Sequence, residues 1–228
     1  MAIVWQDFLA RCYPSPLRLA DRWALGLTVW AIYLADRLID VRDPAAPLTT
    51  PRHRFYRDYR PLVLAMLGLA IGADLAIALP WLGFTEVRNG FEVGAAVGCY
   101  LFLFAALRLG QQRWKPGSAA VLFTTGVFLA AVSAKNTLAT SRLLAPAAAL
   151  CLLILMNLLI VQQPRQRRRA LWMVAFAVAA ALWGGSRWYV AVAVSAAGLA
   201  AVDLAGTHIS EEARGVLADA VLLSPLLL

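Results

Sequence analysis

Residues 17–40 read LRLADRWALGLTVWAIYLADRLID, an apolar helix-length run closed by Tyr33-Leu-Ala-Asp36-Arg37-Leu-Ile-Asp40. As a helix this run is about 36 Å long, enough to cross about 30 Å of hydrocarbon. Two carboxylates and a guanidinium therefore sit at one end of a membrane-spanning segment, where ionisable groups either anchor the helix at the interface or form the floor of a site. Asp36 and Asp40 are four residues apart. On a helix they share one face with Cβ atoms about 5–6 Å apart, so their like charges repel unless a cation lies between them. A divalent metal suits that place. The competing reading is local pairing with Arg37 and Arg42 that simply ends the helix, at about 0.2–0.5 kcal/mol per exposed pair.

Composition defines the class. The chain is 61% hydrophobic and 15% charged, with a mean hydropathy of +0.69, against about 25% charged residues in soluble domains. This is a polytopic membrane protein. The first residues, Met1-Ala-Ile-Val-Trp-Gln-Asp7, lack a basic leader and place an acid where a signal's apolar core would be, so the first helices are expected to stay. Cys12, Cys99 and Cys151 are isolated and odd in number, which supports packing rather than disulfides or a metal site. The net charge of +8 comes from arginines in short loops between apolar runs, not from a basic soluble face. Nucleic acid is excluded as a partner, and orientation in the bilayer explains the charge.

The apolar runs predict spans at about 17–40, 61–83, 93–110, 118–135, 143–162, 170–185, 187–205 and 214–228. Loop charge then alternates. Residues 41–60 carry Arg42, Arg52, Arg54, Arg57 and Arg60 against Asp43 and Asp58, whereas the next loop sets Arg88 against Glu86 and Glu92. The third loop is basic again (Arg108, Arg113, Lys115), as is the fifth, Arg165-Gln-Arg167-Arg168-Arg169. Odd loops are thus expected in the cytoplasm, with the Asp36/Asp40 end facing it from an inner or plasma membrane. The expected fold is an all-α transmembrane bundle of about eight spans in a single integral-membrane domain, residues 1–228. Within it, 1–16 form a short half-span or interfacial helix and 17–228 the bundle. The last span is short and holds Asp219 and Pro225, so it is expected to complete the bundle only in part.

A helix ending Asp36-xxx-Asp40, a basic loop with Arg52-His53-Arg54 and about eight spans resemble the UbiA-type membrane prenyltransferase superfamily, whose first motif is N/D-D-x-x-D-x-x-x-D. Asp36 and Asp40 match its last two acids; Ile32 and Tyr33 stand where the family has its leading pair. The turn Trp114-Lys115-Pro-Gly-Ser also resembles the family's segment after its third loop. The resemblance implies a bundle around a cavity in which Asp36 and Asp40 are catalytic metal ligands. They would hold Mg²⁺ on an isoprenoid diphosphate, because Mg²⁺ takes oxygen ligands shared between carboxylate and phosphate. Arg37, Arg52, Arg54 and Lys115 would neutralise the leaving group. His53, within a run of aromatics and cations, suits anionic headgroups or phosphates. Tyr33 belongs to an aromatic set with Trp30, Tyr100, Phe102, Phe104, Trp183, Trp188 and Tyr189 that suits a prenyl chain or core packing, and aromatic faces stabilise a desolvated cation by about 2 kcal/mol.

The chain departs from the family at the second acid motif, where it reads Asn157-Leu-Leu-Ile-Val-Gln162-Gln163. Asn157 offers a neutral oxygen there. Replacement acids could come from Asp203, Glu211, Glu212 and Asp219, with His208 among them, although Asp203, Glu211 and Glu212 read more simply as helix caps. Asp74, deep in the second span, should face the bundle interior. Two functions follow: an enzyme that transfers or cyclises a prenyl group, or a non-catalytic protein of the same fold that binds a polyprenyl lipid or scaffolds partner enzymes.

Overall fold

The computed structural model describes residues 1–13, 17–41, 51–106, 111–133, 140–162, 167–183, 186–205 and 209–228, with backbone alone at 51–53, 104–106, 111–114, 140–141, 162, 167–168 and 183. Among the described residues every regular element is helical: α1 (Ala2–Cys12), α2 (Leu19–Asp40), α3 (Pro51–Asp58), α4 (Arg60–Trp81), α5 (Phe84–Ala106), α6 (Gln111–Ser133), α7 (Thr140–Gln162), α8 (Arg167–Trp183), α9 (Arg187–Ala205) and α10 (Glu211–Val221), then a 3₁₀ turn at Ser224–Leu227. Among the described residues, four segments are long and apolar enough to cross a membrane: Arg60–Trp81, Lys115–Ser133, Arg142–Val161 and Arg187–Ala205. On α4, Leu62, Leu64, Leu69, Ile71, Leu75 and Leu79 are exposed. A ridge of that size suits lipid and not water. The protein is a multi-span, all-α membrane protein.

The chain forms two compact units, Leu17–Lys115 and a second made of Met1–Pro16 with Pro116–Leu228. In the Leu17–Lys115 unit, α2 packs along α4 and also meets α3 and α5. The start of α2 is fixed by Asp21, whose Oδ2 accepts the Arg18 N–H at 2.6 Å. Similarly, Glu86 Oε2 accepts the Gly83 N–H at 2.7 Å and so starts α5. Arg18 joins the same end, donating to the Trp81 carbonyl at 3.2 Å and lying 3.6 Å from Glu86. Three helix termini are thereby tied together.

In the other unit, α8 and α9 pack as an antiparallel hairpin, and Ala170, Ala177 and Ala180 of α8 and Ala191, Ala196 and Ala200 of α9 are all buried. Small side chains let helix backbones approach closely, the packing mode that works without a hydrophobic drive in lipid. Trp188 at the start of α9 is fully buried and is ringed by Trp5, Phe8, Tyr13 and Phe128 at centroid separations of 5.3–6.3 Å. Trp5 Nε1 donates to the Leu222 carbonyl at 3.0 Å. The apolar face of α1 (Trp5, Phe8, Leu9) is therefore covered by protein within its own unit. The end of the chain differs from the expected span at 214–228: α10 has eleven residues, about 16 Å, and a 3₁₀ turn at Pro225 follows it.

Candidate functional site

Lys115, at the Leu17–Lys115 boundary of its unit, reaches both carboxylates of α2. Its Nζ lies 3.0 Å from Asp36 Oδ1 and 3.5 Å from Asp40 Oδ1. Arg37 completes the cluster, with Nη1 3.0 Å from Asp40 Oδ2 and Nη2 4.0 Å from Asp36 Oδ2. The four-residue spacing does bring the two carboxylates together on one cation, and that cation is an ammonium. Two acids and two bases leave the cluster neutral. Its side chains are only 21–28% exposed, so solvent screens the pairs in part.

The cluster stands on aromatic rings. The Arg37 guanidinium lies 5.1 Å from the Tyr33 ring centroid, and Tyr33 meets Tyr56 of α3 edge-on at 6.4 Å. Phe55 packs against Tyr56 and Tyr59 in turn. Tyr100 of α5 lies within electrostatic reach of Asp36 and Asp40. Arg54 is exposed on α3. The side chains of Arg52 and His53 lie outside the described residues, as do Gln163 and His208.

A groove of about 610 Å³ runs along the same unit, walled by α2, α4 and α5. On α2 its lining repeats at Ala24, Thr28, Ala31 and Ala35, one face of the helix, and it reaches Leu101 on α5. Ala35 and Leu101 are the chain neighbours of Asp36 and Tyr100, while Asp36, Arg37, Asp40 and Lys115 themselves do not line the groove. Asp74 lines it at mid-length, its Oδ2 accepting the Thr28 hydroxyl at 2.6 Å. Asp74 thus has one polar partner, Thr28, within its own unit.

Asn157 belongs to the other unit. It is buried, and its Nδ2 donates to Asp219 Oδ1 at 3.1 Å, an α7–α10 tie. Asp203 corrects the helix-cap reading. It is fully buried and bound by Arg169, with Nη2 to Oδ1 at 2.6 Å and Nε to Oδ2 at 3.4 Å. Arg169 Nη1 also donates to the Leu159 carbonyl at 2.8 Å. Counting Arg169 into a loop of arginines hid it, yet Arg169 and Asp203 lie equally far in sequence on either side of Ser186. That symmetry about the α8–α9 turn was the available signal. Glu211 and Glu212 are exposed in the first turn of α10, where Ser210 Oγ accepts the Ala213 N–H, as the cap reading expects. Trp188, one of the aromatic set, serves the core of its own unit.

Among the described residues no three His, Cys, Asp or Glu side chains converge as a metal cluster. Compared with known protein families, curated proteins and solved structures, the chain has no match.

Proposed function

We propose that the chain is a UbiA-like membrane protein of about eight spans that binds an isoprenoid diphosphate, headgroup at Asp36, Arg37, Asp40 and Lys115 and chain in the α2/α4/α5 groove. What supports this reading is an apolar groove whose α2 lining runs to Ala35, the residue before the Asp36 of the charged cluster. About 610 Å³ is within the range of small-ligand sites.

The Asp36/Asp40 pair suits Mg²⁺ in one respect, since its oxygens already converge on a single cation. A metal arriving with the diphosphate would take that place, held by the two carboxylates, and would supply charge neutralisation at the phosphate oxygens. Lys115 and Arg37 would then bind phosphate oxygens, Arg37 in its planar, two-point mode. Tyr33 holds the Arg37 plane through its ring face.

A second reading has its own support. Lys115 and Arg37 already neutralise the pair, and Asn157 with Asp219 gives no second acid motif, which favours binding without turnover. The test is a thermal-shift titration of the detergent-solubilised protein with geranylgeranyl and farnesyl diphosphate, with and without Mg²⁺, alongside a diphosphate-release assay. Stabilisation that needs Mg²⁺ in the wild type and is lost in Asp36→Asn/Asp40→Asn supports the site. Stabilisation without release selects the non-catalytic protein. No shift with either diphosphate sinks the ligand assignment.

A further inference from the structure

The buried stripe of α10 runs through Arg214, Ala218 and, at its C-terminal cap, Leu222, at the four-residue spacing of one helix face. This helix packs on α7 and α9, so a guanidinium occupies a place where an apolar side chain is the usual choice. Arg214 is 8% exposed. Its Nε is shut off from solvent and meets no acceptor, whereas Nη1 and Nη2 are not enclosed in that way. The side chain forms no hydrogen bond or ion pair with any described residue.

Arg169, just as deeply buried, shows what the same unit provides for a guanidinium that it encloses: two bonds to Asp203 and one to the Leu159 carbonyl. Arg214 has nothing equivalent. The carboxylates of this unit are Asp7, Asp203, Glu211, Glu212 and Asp219. Asp203 is held by Arg169, Asp219 Oδ1 accepts the Asn157 amide, and Glu211 and Glu212 are exposed. Asp7 belongs to α1, whose Trp5 and Phe8 lie against Trp188 at the opposite end of α9. Residues 14–16, 134–139, 163–166, 184–185 and 206–208, which complete the unit, contain no Asp or Glu. Burying a charge without a counter-charge is costly, and a guanidinium cannot escape by losing its proton. Beside it there is room, since a Cβ built on Gly215 meets nothing within 4 Å.

We propose that Arg214 is an anion site, its two Nη groups binding an oxyanion: a phosphate or carboxylate carried by a small solute or by a lipid headgroup. Two oxygens on one centre match the parallel N–H pair of the guanidinium, which a halide does not. Val216 and Leu217 are exposed on the same helix, so a lipid can approach as readily as a solute. The site lies in the unit of α10 and rests on nothing proposed for Asp36 and Asp40.

The experiment is thermal unfolding of the full chain in a neutral detergent, in sodium phosphate, acetate or chloride at equal ionic strength. Phosphate or acetate, at about ten times its dissociation constant, is expected to raise the wild-type midpoint by about 3–6 °C over chloride, with a saturable dependence on concentration. Arg214→Met should lose that response and should unfold above the wild type in chloride, because it removes an unmet buried charge. Glu211→Gln should keep the response. Phosphatidate added to the micelles separates the two sources: a shift at lower total phosphate than the free ion requires assigns the site to a lipid headgroup, and a shift with the free ions alone assigns it to a solute. Equal wild-type midpoints in all three salts, or an undiminished response in Arg214→Met, overturns the proposal. So does an Arg214→Met chain that is less stable than the wild type in chloride or does not fold, since the charge is then met within the chain. A response lost in Glu211→Gln also overturns it, by placing the anion's effect at another residue.

Discussion

Asp203 is the residue with most at stake in this chain, a carboxylate with no exposed surface whose charge is met by Arg169 at 2.6 Å. Removing one partner of such a pair strands the other charge in a poorly polar interior, and that loss exceeds what the pair contributes over an apolar replacement. Asp203→Asn is accordingly expected to cost about 3–5 kcal/mol, read as a lower unfolding midpoint in detergent. Arg169→Leu/Asp203→Leu should recover much of the loss. A double variant as unstable as the single one would show that the pair holds more than its own charges. The same residue marks a limit of sequence reading. Acids near helix ends are usually caps, and only the hairpin register about Ser186 reveals that Asp203 has a specific cation across the turn. At Asp36 and Asp40 the sequence was more legible, because four-residue spacing in a helix dictates a shared face whatever else surrounds it. It did not say which cation would stand between them, since Lys115 lies 75 residues beyond Asp40.

At the scale of elements, the packing of α9 against the end of α10 depends on one missing side chain. A Cβ at Gly198 would stand 2.6 Å from Val221 Cγ1 and 3.1 Å from Cγ2. Val221 cannot swing away freely, being branched at Cβ. Gly198→Ala should therefore destabilise the fold by about 1–3 kcal/mol despite the better helix propensity of alanine. Val221→Ala in the same chain should relieve it. Thermal unfolding of the two single variants and the double settles the point, and additive losses would disprove the clash. The helices themselves follow the apolar runs closely, as at α2, α4 and α9, because the length of an apolar run sets the length of the helix it forms. The short elements follow them less well. What covers the apolar face of α1 depended on Trp188, which is distant in sequence, and where α10 stopped depended on the turn at Pro225.

For the molecule as a whole, we propose from the alternation of loop charge that the end of α2 faces the cytoplasm. Arg57 on α3 and Arg88 on α5 are both exposed, and they fall in loops assigned to opposite faces. In a background with Cys12, Cys99 and Cys151 replaced by serine, an impermeant maleimide added to intact cells should label Arg88→Cys and spare Arg57→Cys until the membrane is opened. The reverse pattern would invert the topology and put the Asp36/Asp40 cluster on the outer face.

The bond from Trp5 to Leu222 joins residues 217 apart in sequence, and it sets a timetable for biogenesis. At about 5–20 residues per second, the ribosome emits Leu222 roughly 10–45 seconds after Trp5. Throughout that interval Trp5, Phe8 and Leu9 are an apolar surface without their final cover, while Leu17–Lys115, continuous in sequence, can already close on itself. The nascent chain thus depends on the insertion machinery or the lipid interface to shelter its first helix until its last one has been made.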